Sequence, residues 1–178
     1  MHPAQVIEFW MEAGSEAWFS RNADFDAAIT ARFLLLHERA ARGDLPGWDA
    51  SPEGALALLL LLDQFPRNMF RGTPRAFATD ARALAVAQTA IARGFDARYA
   101  LPLKSFFYLP FMHAEDLAHQ RRCEALYAAA GYEEGVKYAV IHREIIEKFG
   151  RFPHRNPILG RDMRPEEQAF LDAGGFAG

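Results

Sequence analysis

The stretch SPEGALALLLLLDQFPRN, residues 51–68, decides the fold class of this chain. It opens with serine, proline and glutamate, which together are typical of a helix N-cap and first turn. The run Ala55–Leu62 that follows is apolar on every side, which predicts the most buried helix of the protein. Because a proline disfavours the helical conformation of the residue before it, Pro66 predicts that this helix ends at or before Phe65.

The rest of the chain shows the same helical punctuation and little that favours strands. It contains 32 alanines, whereas valine, isoleucine and threonine together number 15, and alanine is the strongest helix former. A chain of 178 residues without a long linker suits one all-α domain over residues 1–178. The further helices that we expect are Pro3–Met11, Asp24–Arg42 with Asp24 as N-cap, a helix capped by Thr79 or Asp80 that ends near Arg93, Glu115–Ala130, Tyr132–Phe149 and Pro165–Leu171. A frayed tail follows over residues 173–178.

Charge, cysteine count and targeting signals exclude several classes of protein. The formal net charge of −3 at pH 7 argues against a dedicated nucleic-acid binder. The apolar runs are far shorter than the ~20 residues of a membrane-spanning helix, and the N-terminus lacks the pattern of a secretory signal peptide. Cys123 is the single cysteine, so no intrachain disulfide can form. We therefore expect a soluble cytoplasmic protein whose partners are neither membranes nor nucleic acids.

No cofactor and no metal are predicted. The sequence contains no GxGxxG, P-loop or GxSxG motif and no protease triad spacing. Glu115, His119 and Cys123 are spaced four residues apart on one predicted helix face, as metal ligands can be. However, no HExxH or CxxC motif accompanies them, and Arg121 and Arg122 lie beside them.

A first polar cluster directly follows the apolar helix. Proline fixes one backbone dihedral, so Asp63, Arg67 and Asn68 would project from a stiff turn. In a binding site, Arg67 and Asn68 would hold a ligand and Asp63 would orient a proton-transferring group. In the structural alternative, Asp63 pairs with an arginine and Asn68 caps the next turn.

A second polar cluster lies between Lys148 and Arg164, where five basic residues accompany one acid. Its phrase Phe152-Pro153-His154-Arg155-Asn156 is similar to the earlier phrase Phe65-Pro66-Arg67-Asn68. Each phrase follows the end of an apolar helix. We hypothesise that the two Arg-Asn pairs converge on one pocket, although two proline turns of similar sequence can also arise independently.

The residue types of this second cluster suit an anion. Arginine forks bind phosphate or carboxylate, so Arg151, Arg155 and Asn156 are candidate ligand-binding residues. His154 is a candidate catalytic residue that would transfer a proton. In the structural alternative, Arg151 and Arg155 neutralise helix C-termini and pair with acids.

A third group of candidates surrounds the start of the helix predicted from Glu115. His113 would transfer a proton as a catalytic residue, or cap the helix. Glu115 and Asp116 would bind the ligand, or only complement the helix dipole. On the next helix, Arg143 would reach the ligand or a carboxylate. His142 shares a face with apolar residues, so we interpret it as a core histidine.

Three phrases in this order, Leu62–Gly72, Pro110–Asp116 and His142–Asn156, together resemble the bacterial domain-of-unknown-function family 924. The opening residues Val6–Trp10 and Trp18-Phe19 also resemble the N-terminus of that family. The resemblance covers nearly the whole chain. It implies an all-α, tetratricopeptide-like stack of antiparallel helical hairpins with about six to eight helices. It implies no catalytic assignment, because the family is named for lacking one.

We expect a polar pocket that binds a small anionic ligand, as in a hydrolase or a transferase. Arg67 and Arg155 would hold the anion, and His113 or His154 would transfer a proton. The alternative is a helical scaffold that presents a groove to a peptide or protein partner. In a third interpretation, the Arg-Asn turns are structural buttresses between helices. An enclosed polar pocket would favour the first function, and an open concave face the second.

Overall fold

A computed structural model describes residues 1–18 and 20–177 of the chain. Over those residues all regular structure is helical, which confirms the predicted all-α class. Tetratricopeptide-like stacking of hairpins stays a prediction. Phe19, part of the family-like N-terminal phrase, and Gly178, the end of the predicted tail, lie outside the described residues. The α-helices are α1 (Pro3–Ala13), α2 (Ser15–Trp18), α3 (Ala23–Arg42), α4 (Pro52–Leu59), α5 (Phe65–Met69), α6 (Asp80–Ala92), α7 (Leu109–Met112), α8 (Leu117–Ala129), α9 (Glu133–Phe149), α10 (Asn156–Leu159) and α11 (Pro165–Asp172).

The described chain divides into two compact units. The first unit comprises residues 1–71 and 75–110, and the second comprises residues 72–74 and the chain from Phe111 onward. Each unit contains buried apolar side chains of its own. The single domain predicted over residues 1–178 stays a prediction.

An aromatic core holds the first unit together. Trp10 of α1 is fully buried, and its ring centroid lies 5.4 Å from that of Phe65 and 5.6 Å from that of Phe106. The ring centroid of Phe33, on α3, lies 5.0 Å from that of Phe65. Burying a phenylalanine completely stabilises a fold by about 1.5–3 kcal/mol, so these contacts fix α1 and α3 against α5.

The helix that begins with α4 does not end before Pro66, so that prediction is wrong. After α4 the chain makes a π-helical turn at Leu60–Gln64 and then continues as α5, which contains the proline. In this turn the N–H of Phe65 donates to the carbonyl oxygen of Leu60, five residues back. Such turns are rare and lie mostly within longer α-helices.

The π-helical turn and the proline leave two carbonyl oxygens without a partner inside the helix. A side chain from α3 and one from the residue before α6 bond to these oxygens. Pro66 has no N–H to donate to Leu62, and the hydroxyl of Thr79 donates to the Leu62 oxygen instead, at 2.5 Å. Similarly, Nδ1 of His37 lies 2.8 Å from the oxygen of Leu61. Because buried carbonyls require partners, these two bonds allow the helix to pass through a proline in the core.

Capping side chains start two helices at positions that differ from the prediction. Asn22 caps α3, because its Oδ1 accepts the N–H of Asp24 at 3.0 Å. Asp24 therefore lies inside the helix and is not the N-cap. Asp116 caps α8 through its Oδ1, so that helix begins at Leu117 and Glu115 precedes it.

The second unit is built on the packed helices α8 and α9. No helix within the two described ranges is long and apolar enough to cross a membrane. Phe176 belongs to the tail that was expected to fray, yet it packs against the apolar core, so that expectation is wrong for this residue. The core consists of Ile145, Ile146, Phe149 and Phe152, with Leu117, Ile141, Phe170 and Phe176 against it.

Candidate functional site

In the first unit, Arg67 is held by two carboxylates. Its Nη1 and Nη2 each lie 2.9 Å from an oxygen of Asp80, in a bidentate pair. Nη1 also lies 3.3 Å from Oδ1 of the buried Asp63 and donates to the Asp63 carbonyl oxygen at 2.7 Å. Burial disfavours the charge, but the two carboxylates raise the pKa of Arg67 overall. This geometry is that of an internal ion-pair network, and the ligand role of Arg67 and the orienting role of Asp63 stay predictions.

Asn68 is also engaged within the first unit. Its Nδ2 donates to Oδ1 of Asp26 at 2.8 Å, and its Oδ1 accepts from Nε2 of Gln64 at 3.0 Å. Arg71 donates to the same Asp26 carboxylate, with Nε 2.5 Å from Oδ2. The amide of Asn68 therefore connects α5 to the first turn of α3. Its proposed role as a ligand-binding residue stays a prediction.

In the second unit, Glu167 anchors the loop that follows α9. Its side chain is 0% exposed, and Arg151 approaches it with Nε at 2.6 Å from Oε1 and Nη2 at 2.8 Å from Oε2. Oε2 also accepts from Asn156 Nδ2 at 3.0 Å and from the N–H of Arg164 at 2.9 Å. The hydrogen bonds from Arg151 lower the pKa of Glu167 to about 2. Arg151 and Asn156 thus position the loop.

Glu115 anchors the same loop from the start of α8. Its Oε2 lies 2.6 Å from Nη1 of Arg161, and its Oε1 lies 2.9 Å from Nη2. Oε1 also accepts the N–H of Phe152 at 2.8 Å. Burial raises the pKa of Glu115, but these hydrogen bonds from Arg161 and Phe152 outweigh it and lower the pKa. Much of the basic charge of this loop is therefore neutralised by carboxylates that lie far away in sequence.

Two further candidates have structural contacts within the second unit. Asp116 accepts the N–H of His119 at 3.0 Å as the N-cap of α8. Arg143 joins α9 to α8, with Nε 2.7 Å from Oε2 of Glu124, and also pairs with Glu147 on its own helix at 2.5 Å. The ligand-binding roles of Asp116 and Arg143 stay predictions.

The side chains of His142, His154 and Arg155 lie around the ring of Phe152. Together with His113, which acts electrostatically on His142, they form a group that we call the histidine–arginine cluster. The guanidinium carbon of Arg155 lies 4.6 Å from the Phe152 ring centroid. The ring centroids of His142 and His154 lie 5.5 Å and 5.7 Å from the same point. Nη2 of Arg155 donates to the main-chain oxygen of His113 at 3.1 Å, which connects the loop to the residue range before α8.

His142 is neutral at physiological pH and has one defined tautomer. Burial, together with the nearby His113, Arg155 and His154, lowers its pKa to about 4, against a hydrogen bond to Tyr138 that raises it. Its Nδ1 lies 2.8 Å from the carbonyl oxygen of Tyr138. A carbonyl oxygen only accepts, so Nδ1 carries the hydrogen and Nε2 has the free lone pair.

The sequence did not identify His142 and Glu167 as residues of the candidate site or its supports. The interpretation of His142 as a core histidine fits its burial, but its helical spacing does not show that His154 and Arg155 lie beside it. Glu167 did carry a signal, because a glutamate two residues after Pro165 at a helix start is typical of a capping box.

The two similar proline phrases lie in different units, so their convergence on one pocket stays a prediction. Of the candidates, His113, His154 and Arg155 lie together with His142, whereas Asp63, Arg67 and Asn68 belong to the first unit. Within the described ranges, no group of three or more histidine, cysteine, aspartate or glutamate side chains is placed to hold a metal ion.

Comparisons with known proteins agree with the resemblance seen in the sequence. Residues 6–175 match the family described as bacterial protein of unknown function, DUF924. A search of curated proteins finds no match. Among solved structures, a protein of unknown function from Agrobacterium tumefaciens is 48% identical, with a TM-score of 0.93 over 97% of each chain. The resemblance carried by the three phrases is therefore confirmed, and this chain belongs to the bacterial family of unknown function DUF924.

Proposed function

We propose that the second unit binds a small anionic molecule at the histidine–arginine cluster. The observation that carries this proposal is the gathering of two imidazoles and one guanidinium around the buried ring of Phe152, with His113 near enough to act electrostatically on His142. A guanidinium offers a planar pair of donors that matches phosphate or carboxylate, and imidazoles add donors of adjustable charge. Arg155 is 7% exposed, so a ligand bound to it would be largely shielded from water, where such bonds are stronger.

The rigid loop around the cluster also supports this function. Glu115 and Glu167 fix the loop on both sides of His154 and Arg155. They bond Phe152 and Arg151 before these residues, and Arg161 and Asn156 after them. Binding groups held on a fixed backbone lose little conformational entropy when a ligand arrives. The carboxylates thus act as supports for the residues that would touch the anion.

The chemistry that such a site supports is hydrolysis or group transfer. Arg155 would hold the anionic group, and His113 and His154 would donate and accept a proton as general acid and base. His142, neutral with its lone pair on Nε2, would accept a hydrogen bond from a hydroxyl of the ligand, such as that of hydrogen phosphate. A bound anion would stabilise the protonated form of His142 and so raise its pKa from about 4.

The test is a titration of the purified chain with inorganic phosphate and with acetate, followed by calorimetry and thermal unfolding at pH 6 and pH 8. A ligand at 100 times its Kd stabilises a protein by ~2.7 kcal/mol, which raises the Tm of a chain of this size by about 5–10 °C. We expect Arg155→Gln to abolish the shift and His154→Gln to reduce it. Arg122→Gln, on the exposed face of α8, removes the same charge and should leave the shift unchanged.

The outcomes separate the candidate functions. Loss of phosphate binding in Arg155→Gln but not in Arg122→Gln, with the far-ultraviolet circular dichroism unchanged, supports the site. Equal binding in all variants, or no binding of either anion, contradicts it and leaves the partner-binding scaffold as the next hypothesis. Turnover of p-nitrophenyl phosphate or p-nitrophenyl acetate that Arg155→Gln eliminates would establish an enzyme.

A further inference from the structure

The chain reverses direction directly after α11. The N–H of Gly174 donates to the oxygen of Leu171, and the N–H of Gly175 donates to the oxygen of Phe170, both at 3.0 Å. These two bonds form a Schellman motif, in which Gly174 has a φ of +80°. A Cβ on Gly175 would lie 2.5 Å from the Phe170 ring, so this turn requires glycine at both positions.

The turn places the next residue, Phe176, on the histidine–arginine cluster. The Phe176 ring centroid lies 4.5 Å from that of His142 and 5.9 Å from that of His154. Phe176 also packs against the core that contains Phe152. With this ring in place, His142 is only 7% exposed.

The segment that carries this ring is otherwise small and open to water. It consists of Ala173, Gly174, Gly175, Phe176 and Ala177, so the phenylalanine is its one large apolar side chain. Ala173, Gly174 and Ala177 are exposed. A segment attached through one aromatic ring and a glycine turn belongs to the low-stability part of a structure, which opens locally without global unfolding.

We propose that residues 173–177 form a strap that closes over the histidine–arginine cluster and must lift before an anion reaches His142. This inference rests on the proposed function, because it names the control of access to the same site. Closing the strap keeps the imidazole dry, and lifting it admits water and ligand together. Phe176 is therefore a gating residue and makes no bond to the anion itself.

The groups around His142 determine how its pKa would change when the strap opens. The Tyr138 carbonyl faces it from α9, His113 from the range before α8, and His154 and Arg155 from the loop after α9. The three basic side chains stay in place when the strap lifts, and only the burial by Phe176 is lost. The pKa of His142 should then rise from about 4 while remaining below its ordinary value of 6.5.

The experiment compares the full chain with the variant Phe176→Ala in the absence of any ligand. The pKa of each histidine is measured by NMR, and the rate of modification by diethyl pyrocarbonate is measured by mass spectrometry at pH 7. We expect the pKa of His142 to rise by about one unit and its modification to accelerate about tenfold, which corresponds to the added population of the open state. His119 on α8 is the internal reference and should not change.

Two further variants keep the test decisive. Gly175→Ala should produce the same changes as Phe176→Ala, because its Cβ would displace the turn from Phe170. Ala177→Ser alters an exposed neighbour and should behave as the unmodified chain. If Phe176→Ala no longer folds by circular dichroism, Gly175→Ala provides the comparison.

The experiment can refute the strap and the anion site separately. If the modification rate and the pKa of His142 are the same in Phe176→Ala as in the unmodified chain, the strap is refuted, whether or not phosphate binds. If both change but phosphate binds neither protein, the strap covers His142 as proposed and the anion site is wrong. If phosphate binds both and associates about tenfold faster with Phe176→Ala, both proposals are supported.

Discussion

The substitution Glu167→Gln tests whether one buried carboxylate holds the loop that carries His154 and Arg155. In the unmodified chain this carboxylate pairs with Arg151 and accepts from Asn156. The glutamine keeps the size of the side chain but removes the charge and half of the acceptor capacity. The variant should therefore be less stable at pH 7, while the helices remain.

The pKa of Glu167 sets the size of the effect. It falls from 4.5 to about 2 because of the hydrogen bonds from Arg151, and each pKa unit corresponds to ~1.4 kcal/mol, so the upper limit is about 3 kcal/mol. The side chain of Arg151 is 19% exposed, and solvent screening of the pair lowers this to about 1–2 kcal/mol. A lowered carboxylate pKa stabilises the fold fully above pH 4.5, and this contribution disappears as the pH falls toward 2.

The assay is urea unfolding at pH 7, 5 and 3, monitored by tryptophan fluorescence and circular dichroism. The difference between the unmodified chain and Glu167→Gln should be about 1–2 kcal/mol at pH 7, and less than half of it should remain at pH 3. Glu166→Gln, the exposed neighbour on the same helical turn, is the matched control and should change stability by at most ~0.5 kcal/mol. The reasoning would be refuted if the difference in free energy of unfolding between Glu167→Gln and the unmodified chain stayed constant between pH 7 and pH 3. Equal losses of stability in Glu167→Gln and Glu166→Gln would also refute it.

Two further predictions concern the first unit. Thr79→Val leaves the Leu62 carbonyl buried without its donor and should lower the free energy of unfolding by about 1–3 kcal/mol, measured by thermal unfolding. Thr89→Val, at an exposed site on α6, is the control and should be nearly neutral. Equal effects of the two substitutions would contradict the role of the Thr79 hydroxyl. Asn22→Ala removes the N-cap of α3 and should cost about 1 kcal/mol by urea unfolding, whereas Asp24→Ala should cost less than ~0.5 kcal/mol, and the reverse order would restore Asp24 as the cap.

The helices could be predicted from the sequence because their signals are local. Ser51 accepts the N–H of Gly54 at the start of α4, as its position before a proline indicates. Gly43 and Gly150 end α3 and α9 with positive φ values, as glycines after an apolar periodic run do. Each of these signals involves groups only a few residues apart, so the sequence pattern itself contains it.

The passage through Pro66 could not be predicted, because its cause is not local. The rule that a helix ends before a proline holds when the freed carbonyls have no other partner. Here Thr79 and His37, which are 17 and 24 residues away from the carbonyls they bond, provide the partners. Tertiary hydrogen bonds of this kind are invisible in a helical pattern.

In the candidate site too, the sequence showed the local features and did not show the contacts between distant residues. The residue types in the basic loop after α9 indicated anion chemistry, and His154 and Arg155 do lie together with His113 in the second unit. The sequence did not show that Arg151 pairs with Glu167, since acid and base are far apart in the chain. The ligand-binding roles of Arg151 and Asn156 therefore stay predictions, for residues that the structure shows bonded to Glu167.

The two carboxylates that hold this loop also differ in how early they can act during folding. Arg151 and Glu167 are 16 residues apart, whereas Arg161 and Glu115 are 46 apart. Closing the longer loop costs about 1 kcal/mol more in chain entropy, so the pair with Glu167 forms at lower entropic cost. The C-terminal third of the chain can thus shape the segment around His154 before Glu115 reaches it.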